Sequence, residues 1–185
     1  PRLSLNEADI VTPVDYEGPY VIKPRNDGSS VGVEIILDGR VCPRNRWASN
    51  CPLIAERYIA GRELTVSVLN GNALCVTEII TNTQFYDYSA KYDVGGSRHI
   101  LPAAIPDSCT QKAMSWAERA FELLGCRGIA RADFRWDEDN DSLYLLELNT
   151  QPGMTKTSLV PEQASFCNLE MPSLITTLVE AAQCD

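Results

Sequence analysis

The chain has 185 residues, with 25 Asp and Glu against 16 Lys and Arg, for a formal charge of −9. Its basic residues are scattered, which counts against nucleic acid or an anionic membrane as partner. A polyanionic small ligand stays open, because a metal ion and a few placed cations can reverse a local field.

The hydrophobic fraction of 44% is that of an ordinary globular protein, and no apolar run approaches the roughly 20 residues of a membrane span. Seven cysteines and a single histidine, His99, form no CxxC pair and no zinc-like spacing. Reduced, mostly structural thiols in a cytosolic protein are expected. The chain opens at Pro1-Arg2-Leu3 without an initiator methionine, so a piece of a longer protein is expected.

Residues 1–19 are polar and predict no element. Residues 20–24 (YVIKP) read as a short strand closed by proline. A turn-rich loop follows over 26–32, then the apolar run 33–37, and together they suggest a hairpin lid. Residues 38–52 are irregular and partly helical at most. From Leu53 the pattern is strongly β: 53–59 is one run, 63–69 alternates Leu64, Val66 and Val68 with Thr65 and Ser67, and Asn70-Gly71-Asn72 turns into 73–80. A helix is predicted over 108–124, with Ala113, Trp116, Ala117, Ala120, Phe121 and Leu124 on one face. Asp107 or Ser108 would cap it and Gly125 would end it. A last helix over 172–182 repeats the pattern with Leu174, Ile175, Leu178 and Val179. The order of elements indicates an α+β fold, a largely antiparallel sheet with helices packed on it.

Two β runs, 129–135 and 143–149, flank the acidic turn 137–141. By the strand period of two, Arg131 and Asp133 share a face on the first run, and Glu147 and Asn149 share one on the second. A turn centred on Asn140 puts Asp133 opposite Glu147 and Arg131 opposite Asn149. Two carboxylates and an amide oxygen then converge beside a guanidinium, a donor set suited to Mg²⁺ or Mn²⁺. The competing reading is a solvated hairpin with a cross-strand ion pair. Against it stands the cost of burying Glu147 among leucines without a partner.

Six blocks in order resemble D-alanine–D-alanine ligases of the ATP-grasp type: VIKPRNDGSSVG (21–32), ERYIAGRELTVSV (56–68), FYDYSAKY (85–92), GIARADF (128–134), LLELNTQPGMT (145–155) and SLVP (158–161). The glycine-serine loop is not a Walker P-loop, since no Gly-Lys-Ser/Thr follows it. The resemblance implies an ATP-grasp fold. Residues 1–62 would be the remainder of its central subdomain, with the phosphate-binding loop. Residues 63–185 would be the carboxy-terminal subdomain, and the amino-terminal domain would be absent.

The resemblance also implies roles. Lys23 would contact the ATP phosphates, with the loop of Ser29, Ser30 and Val31 closing over them. Glu56 would accept from the adenine amino group, backbone at Arg57 and Ile59 would meet the ring edge, and Glu63 would hold the ribose. Lys91 and Tyr92 would lie on a mobile loop that closes over the site, where Lys91 would neutralise the γ-phosphate and Tyr92 would help seal the pocket and bear on which second substrate is accepted. Asp133, Glu147 and Asn149 would hold two Mg²⁺ or Mn²⁺ ions. Arg131 would steady charge on the reacting carboxyl group, and Ser29, Lys91 and Tyr92 join it as catalytic residues. Gly153, Ser158 and Leu159 would bind the carboxylate of the second D-alanine. Read on residue type alone, Lys23 is equally a surface lysine, Glu56 and Glu63 strand-end carboxylates, Tyr92 a packing aromatic, and Ser158-Leu159 a helix cap and a core residue.

The implied activity is ATP-dependent joining of two D-alanines through an acyl phosphate, for peptidoglycan precursors and hence cell wall and cell shape. It would be a cytoplasmic reaction, with a homodimer compatible with the intact enzyme. Residues that would receive the first D-alanine's ammonium, and a second phosphate-binding lysine, have no counterpart, so this chain alone is expected to be inactive. The rivals are a D-alanine–D-lactate ligase, which Tyr92 after Lys91 disfavours, another ATP-grasp ligase, and an idle nucleotide-binding domain.

Overall fold

In the computed structural model, which describes residues 2–5, 18–26, 30–37, 47, 51–81 and 97–183, the alternating segments become strands and the 3.6-period segments become helices. The chain divides into two compact units, Pro1–Ile59 with Thr81–Ser97, and Ala60–Ile80 with Arg98–Asp185.

The first unit holds a four-stranded sheet built from β1 (Arg2–Leu5), β2 (Tyr20–Pro24), β3 (Glu34–Ile36) and β4 (Leu53–Arg57), in the order β1-β4-β2-β3. All three pairings are antiparallel. β2 and β3 form the expected hairpin, with Tyr20 opposite Ile36 and Ile22 opposite Glu34. Tyr20, Ile22, Leu53 and Ala55 are buried together, with Ile36, Trp47 and Cys51 packed against them. β1 corrects the expectation of a featureless start. Four residues carry too short a period to stand out, and the strand exists because β4 offers it an open edge. Most of the irregular stretch 38–52 lies outside the described residues.

The second sheet runs β7-β6-β5-β8-β9, from β5 (Arg62–Leu69), β6 (Asn72–Thr81), β7 (Ser97–Ile100), β8 (Ile129–Asp137) and β9 (Ser142–Asn149). One face packs on helix α1 (Asp107–Leu123) through Leu64, Val66, Val68, Ala130, Ala132, Phe134 and Trp136. Each large side chain so buried contributes about 1.5–3 kcal/mol. The helix lies where the period put it, but its buried stripe is Cys109, Ala113, Ala117 and Phe121. Trp116 and Leu124, expected on that face, are 40% and 67% exposed. Alanines seat the helix close to the sheet, so only a narrow stripe is covered and the flanks stay out. Lys112 lies over the Trp116 ring at 5.0 Å. The expected caps are also corrected. Pro106 occupies the N-cap without a side-chain hydrogen bond, and Asp107 falls in the first turn. Gly125 ends the helix as expected, at φ +62°.

The opposite face of the same sheet is partly covered by α2 (Leu159–Phe166) and α3 (Met171–Glu180), joined through Val160, Ala164 and Leu174. Sequence periodicity missed α2, whose eight residues make barely two turns. In α3, Leu174 is buried but Ile175 and Val179 are exposed. Cys75 is buried beside Cys167, and burial first, then that neighbour, pushes its thiol up to about 12. Only the thiolate is nucleophilic. At pH 8, iodoacetamide is therefore expected to alkylate the exposed Cys167 and spare Cys75, which peptide mass spectrometry of the native protein would read directly.

Candidate functional site

The face of β5, β8 and β9 left open by α2 carries a grid of polar side chains. Across the three strands Thr65 faces Asp133, which faces Glu147, while Ser67 faces Arg131, which faces Asn149. The pairing read from the sequence is therefore the one observed, but it arises differently. Next to the turn Asp137 faces Ser142 and Phe134 faces Leu145, one residue out of step with a turn centred on Asn140. Leu146 is the extra residue of a β-bulge that restores the pairing. The bulge also changes the environment of Glu147, which is exposed, as is Leu145. Glu147 is thus not buried among leucines as its sequence neighbours suggest; the donor set remains.

Within the grid, Arg131 donates to both oxygens of Asp133, from Nε at 2.8 Å and from Nη2 at 2.7 Å. Their side chains are only 11% and 12% exposed, so water screens this bidentate pair little. Thr65 Oγ1 adds a 2.6 Å donation to Asp133 Oδ1. One row away, Arg135 lies 3.4 Å from Glu63, both nearly buried. At the start of β5, Arg62 grips Glu78 through two bonds of 2.6 Å, rests over Trp136 and reaches the Ala104 carbonyl. Glu78 above all raises the Arg62 pKa further.

A hard divalent cation fits this face. Asp133 accepts three hydrogen bonds where a carboxylate offers about four sites, so one oxygen lone pair remains. Asn149 Oδ1 accepts from the Gln151 amide at 2.9 Å and keeps its second lone pair. The Glu147 side chain makes no hydrogen bond or ion pair with the described residues. No cluster of three His, Cys, Asp or Glu exists among those residues. A cation here would therefore lean on the amide oxygen, on ligand oxygens and on water, as Mg²⁺ does.

The segment after β9 folds around Ser158. Its Oγ accepts from the Thr155 amide at 3.0 Å and meets Thr155 Oγ1 at 2.8 Å. A side chain at Gly153 would place its Cβ 2.8 Å from Ser158 Oγ, which would have to give up its present position beside Thr155. Ser158 is the N-cap of α2 and Leu159 is buried, so the cap-and-core alternative holds for both. Leu159 and Val160 stand in the first turn of α2, where N–H groups have no intrahelical partner.

In the first unit, Lys23 Nζ and Glu56 Oε2 lie 2.7 Å apart, each side chain 22% exposed. Two residues expected to meet different parts of one ligand are thus ion-paired to each other across β2 and β4. Ser30 has φ +58°, and Val31 is 52% exposed. Arg57 ends β4, and the Tyr58 amide bonds the Pro19 carbonyl at 3.0 Å. Ser29, Lys91 and Tyr92 lie outside the described residues. Three participants escaped the sequence reading. Thr65 and Arg135 could have been found by extending the period of two from Glu63 and Asp133. Gln163, buried against the sheet, had no local signal.

The family model described as "D-ala D-ala ligase C-terminus" matches residues 6–180. A D-alanine–D-alanine ligase of Rhodospirillum rubrum is 47% identical over 188 residues, covering 100% of this chain and 62% of the relative. That of Acidiphilium cryptum is 52% identical over 169 residues, covering 90% and 56%. The chain therefore spans about 60% of the length of the curated relatives it matches. Among solved structures, the D-alanine–D-alanine ligase of Bacillus anthracis superposes with a TM-score of 0.77 at 24% identity, over 98% of this chain and 60% of that one. A second structure of that enzyme, complexed with ATP, gives 0.75 at 21%, over 98% and 59%. These likenesses establish the ATP-grasp fold. On the family match and the identity of these relatives, the chain belongs to the D-alanine–D-alanine ligase family, of which it spans the carboxy-terminal portion.

Proposed function

We propose that the intact protein joins two D-alanines to D-alanyl-D-alanine at the expense of ATP, supplying peptidoglycan precursors in the cytoplasm. The observation that carries this reading is the polar grid, in a chain of this family: Asp133 opposite Glu147 and Arg131 opposite Asn149 on one sheet face. ATP enters the reading from the Bacillus anthracis complex and from the oxygen donors. The unit with β2 and β4 is read as the remainder of the central subdomain, and the unit with β5 to β9 as the carboxy-terminal one.

A carboxylate cannot expel oxide, so it must first be phosphorylated, after which an amine attacks and phosphate leaves. The protein's part is alignment and charge. Lys23 and Lys91 would hold the phosphates, with Ser29, Ser30 and Val31 lying over them. Glu56, Arg57 and Ile59 would meet the adenine and Glu63 the ribose. Mg²⁺ or Mn²⁺, when bound at Asp133, Glu147 and Asn149, supplies neutralisation of phosphate charge. Arg131 would face the oxyanion of the reacting carboxyl. Gly153, Ser158 and the amides of Leu159 and Val160 suit the acceptor's carboxylate, since helix starts favour anions. Tyr92 would keep water from the acyl phosphate.

The test is phosphate release by the intact protein with Mg-ATP, with and without D-alanine. Release that needs D-alanine, with dipeptide formed in equal amount, is expected; D-alanine-independent release or none would end the reading. Product formed from D-lactate in preference to D-alanine would shift it to an ester-forming ligase. In the same assay, Glu147→Gln is expected to raise the Mg²⁺ needed for half-maximal turnover more than about tenfold. An unchanged Mg²⁺ dependence would remove Glu147 from the metal set.

A further inference from the structure

β6 contains an irregularity that the hairpin pattern does not reveal. Val66 pairs with Val76 and Val68 with Ala73, so Leu74 and Cys75 together oppose Ser67. Two residues against one leave the ladder locally open. The side chain of Gln163, fully buried on α2, fills the gap. Its Oε1 accepts from the Ser67 amide at 2.8 Å, and its Nε2 donates to the Thr65 carbonyl at 3.2 Å and to Thr77 Oγ1 at 2.9 Å. The orientation of the amide is forced, because turning it over would set N–H against the Ser67 N–H. A helix side chain thus stands in for one peptide group of the neighbouring strand.

Two features connect this bracket to the chemistry. Thr65, held at its carbonyl by Gln163, donates its hydroxyl to Asp133 at 2.6 Å. Gln163 also lies one turn into α2, whose first residues are Leu159 and Val160 after the Ser158 cap. One side chain therefore sets the depth and rotation of the helix start against the sheet face that carries Arg131, Asp133, Glu147 and Asn149. We propose that Gln163 is a positioning residue for the acceptor end of the ligation, through its bracket on Thr65 and Ser67. This rests on the ligase reading above.

Gln163→Met keeps volume and removes all three hydrogen bonds. In the intact protein it is expected to raise the KM for the acceptor D-alanine about 10–100-fold, since a displacement of about 1 Å costs on that order. The KM for ATP is expected to stay within about threefold, because Asp133 keeps both bonds from Arg131 when the Thr65 carbonyl is released. Amide exchange at Ser67 should accelerate about 100-fold or more while Val66 and Val68 stay protected, reading the bracket without any activity. If the Met variant does not fold, Gln163→Glu, with the same shape and an oxygen kept for Ser67, is read by the same split. An acceptor KM that stays unchanged, or that moves together with the KM for ATP, would overturn the proposal. So would continued protection of Ser67 in the Met variant. A wild type inert towards D-alanine would instead bring down the ligase reading, and the positioning role with it.

Discussion

Arg131→Ala in the intact protein is expected to lower turnover about 10²–10³-fold, the usual cost of losing one preorganised oxyanion donor. The KM for ATP should change no more than a few-fold, because Lys23, Glu56 and Glu63 are untouched. The prediction follows from where the guanidinium sits. It is nearly buried and locked on both oxygens of Asp133, so its charge is fixed before any substrate arrives. Arg131→Lys should recover little, because an ammonium cannot make the bidentate pair. Removing one partner of a buried pair also costs about 3–5 kcal/mol of stability. Turnover is therefore to be measured per folded molecule, with thermal unfolding recorded in parallel. Near-normal turnover in the folded variant would remove Arg131 from the mechanism.

A large effect on stability, with its origin in the backbone alone, is expected at Gly61. Its φ of +117° is one that residues with a side chain rarely adopt, and a Cβ there would lie 2.1 Å from the Trp136 carbonyl oxygen. That carbonyl belongs to the backbone of β8, at the pair that opens the β5–β8 ladder, Arg62 with Trp136. Neither atom can swing aside. Backbone strain and overpacking each cost about 1–3 kcal/mol, so Gly61→Ala should lose about 2–4 kcal/mol or more. For a chain of this size that lowers the unfolding midpoint by about 5–15 °C. Gly71→Ala is the control: φ is +84° but nothing lies within 4 Å, so only the strain remains. A Gly61 variant no less stable than the Gly71 variant would show that the close approach is relieved at no cost.

The sequence by itself determined the local periods, and through them much of the candidate site. Alternation in β5, β6, β8 and β9 and the 3.6-residue repeat of α1 are properties of neighbouring residues, which is why these elements were legible. The Asp133–Glu147 and Arg131–Asn149 pairs followed from the same period of two, and the six motif blocks identified the family and proposed a role for each residue. Four things were decided by tertiary structure alone. β1 formed because β4 had an edge to offer. The bulge at Leu146 turned Glu147 outward, and Trp116 stayed exposed because two alanines bring α1 close to the sheet. The bulge at Leu74 and Cys75 opened the ladder that Gln163 closes from a helix nearly a hundred residues away. Each of these depends on the unmet hydrogen bonds or free volume of a distant segment. No window of sequence contains both the gap and the group that fills it.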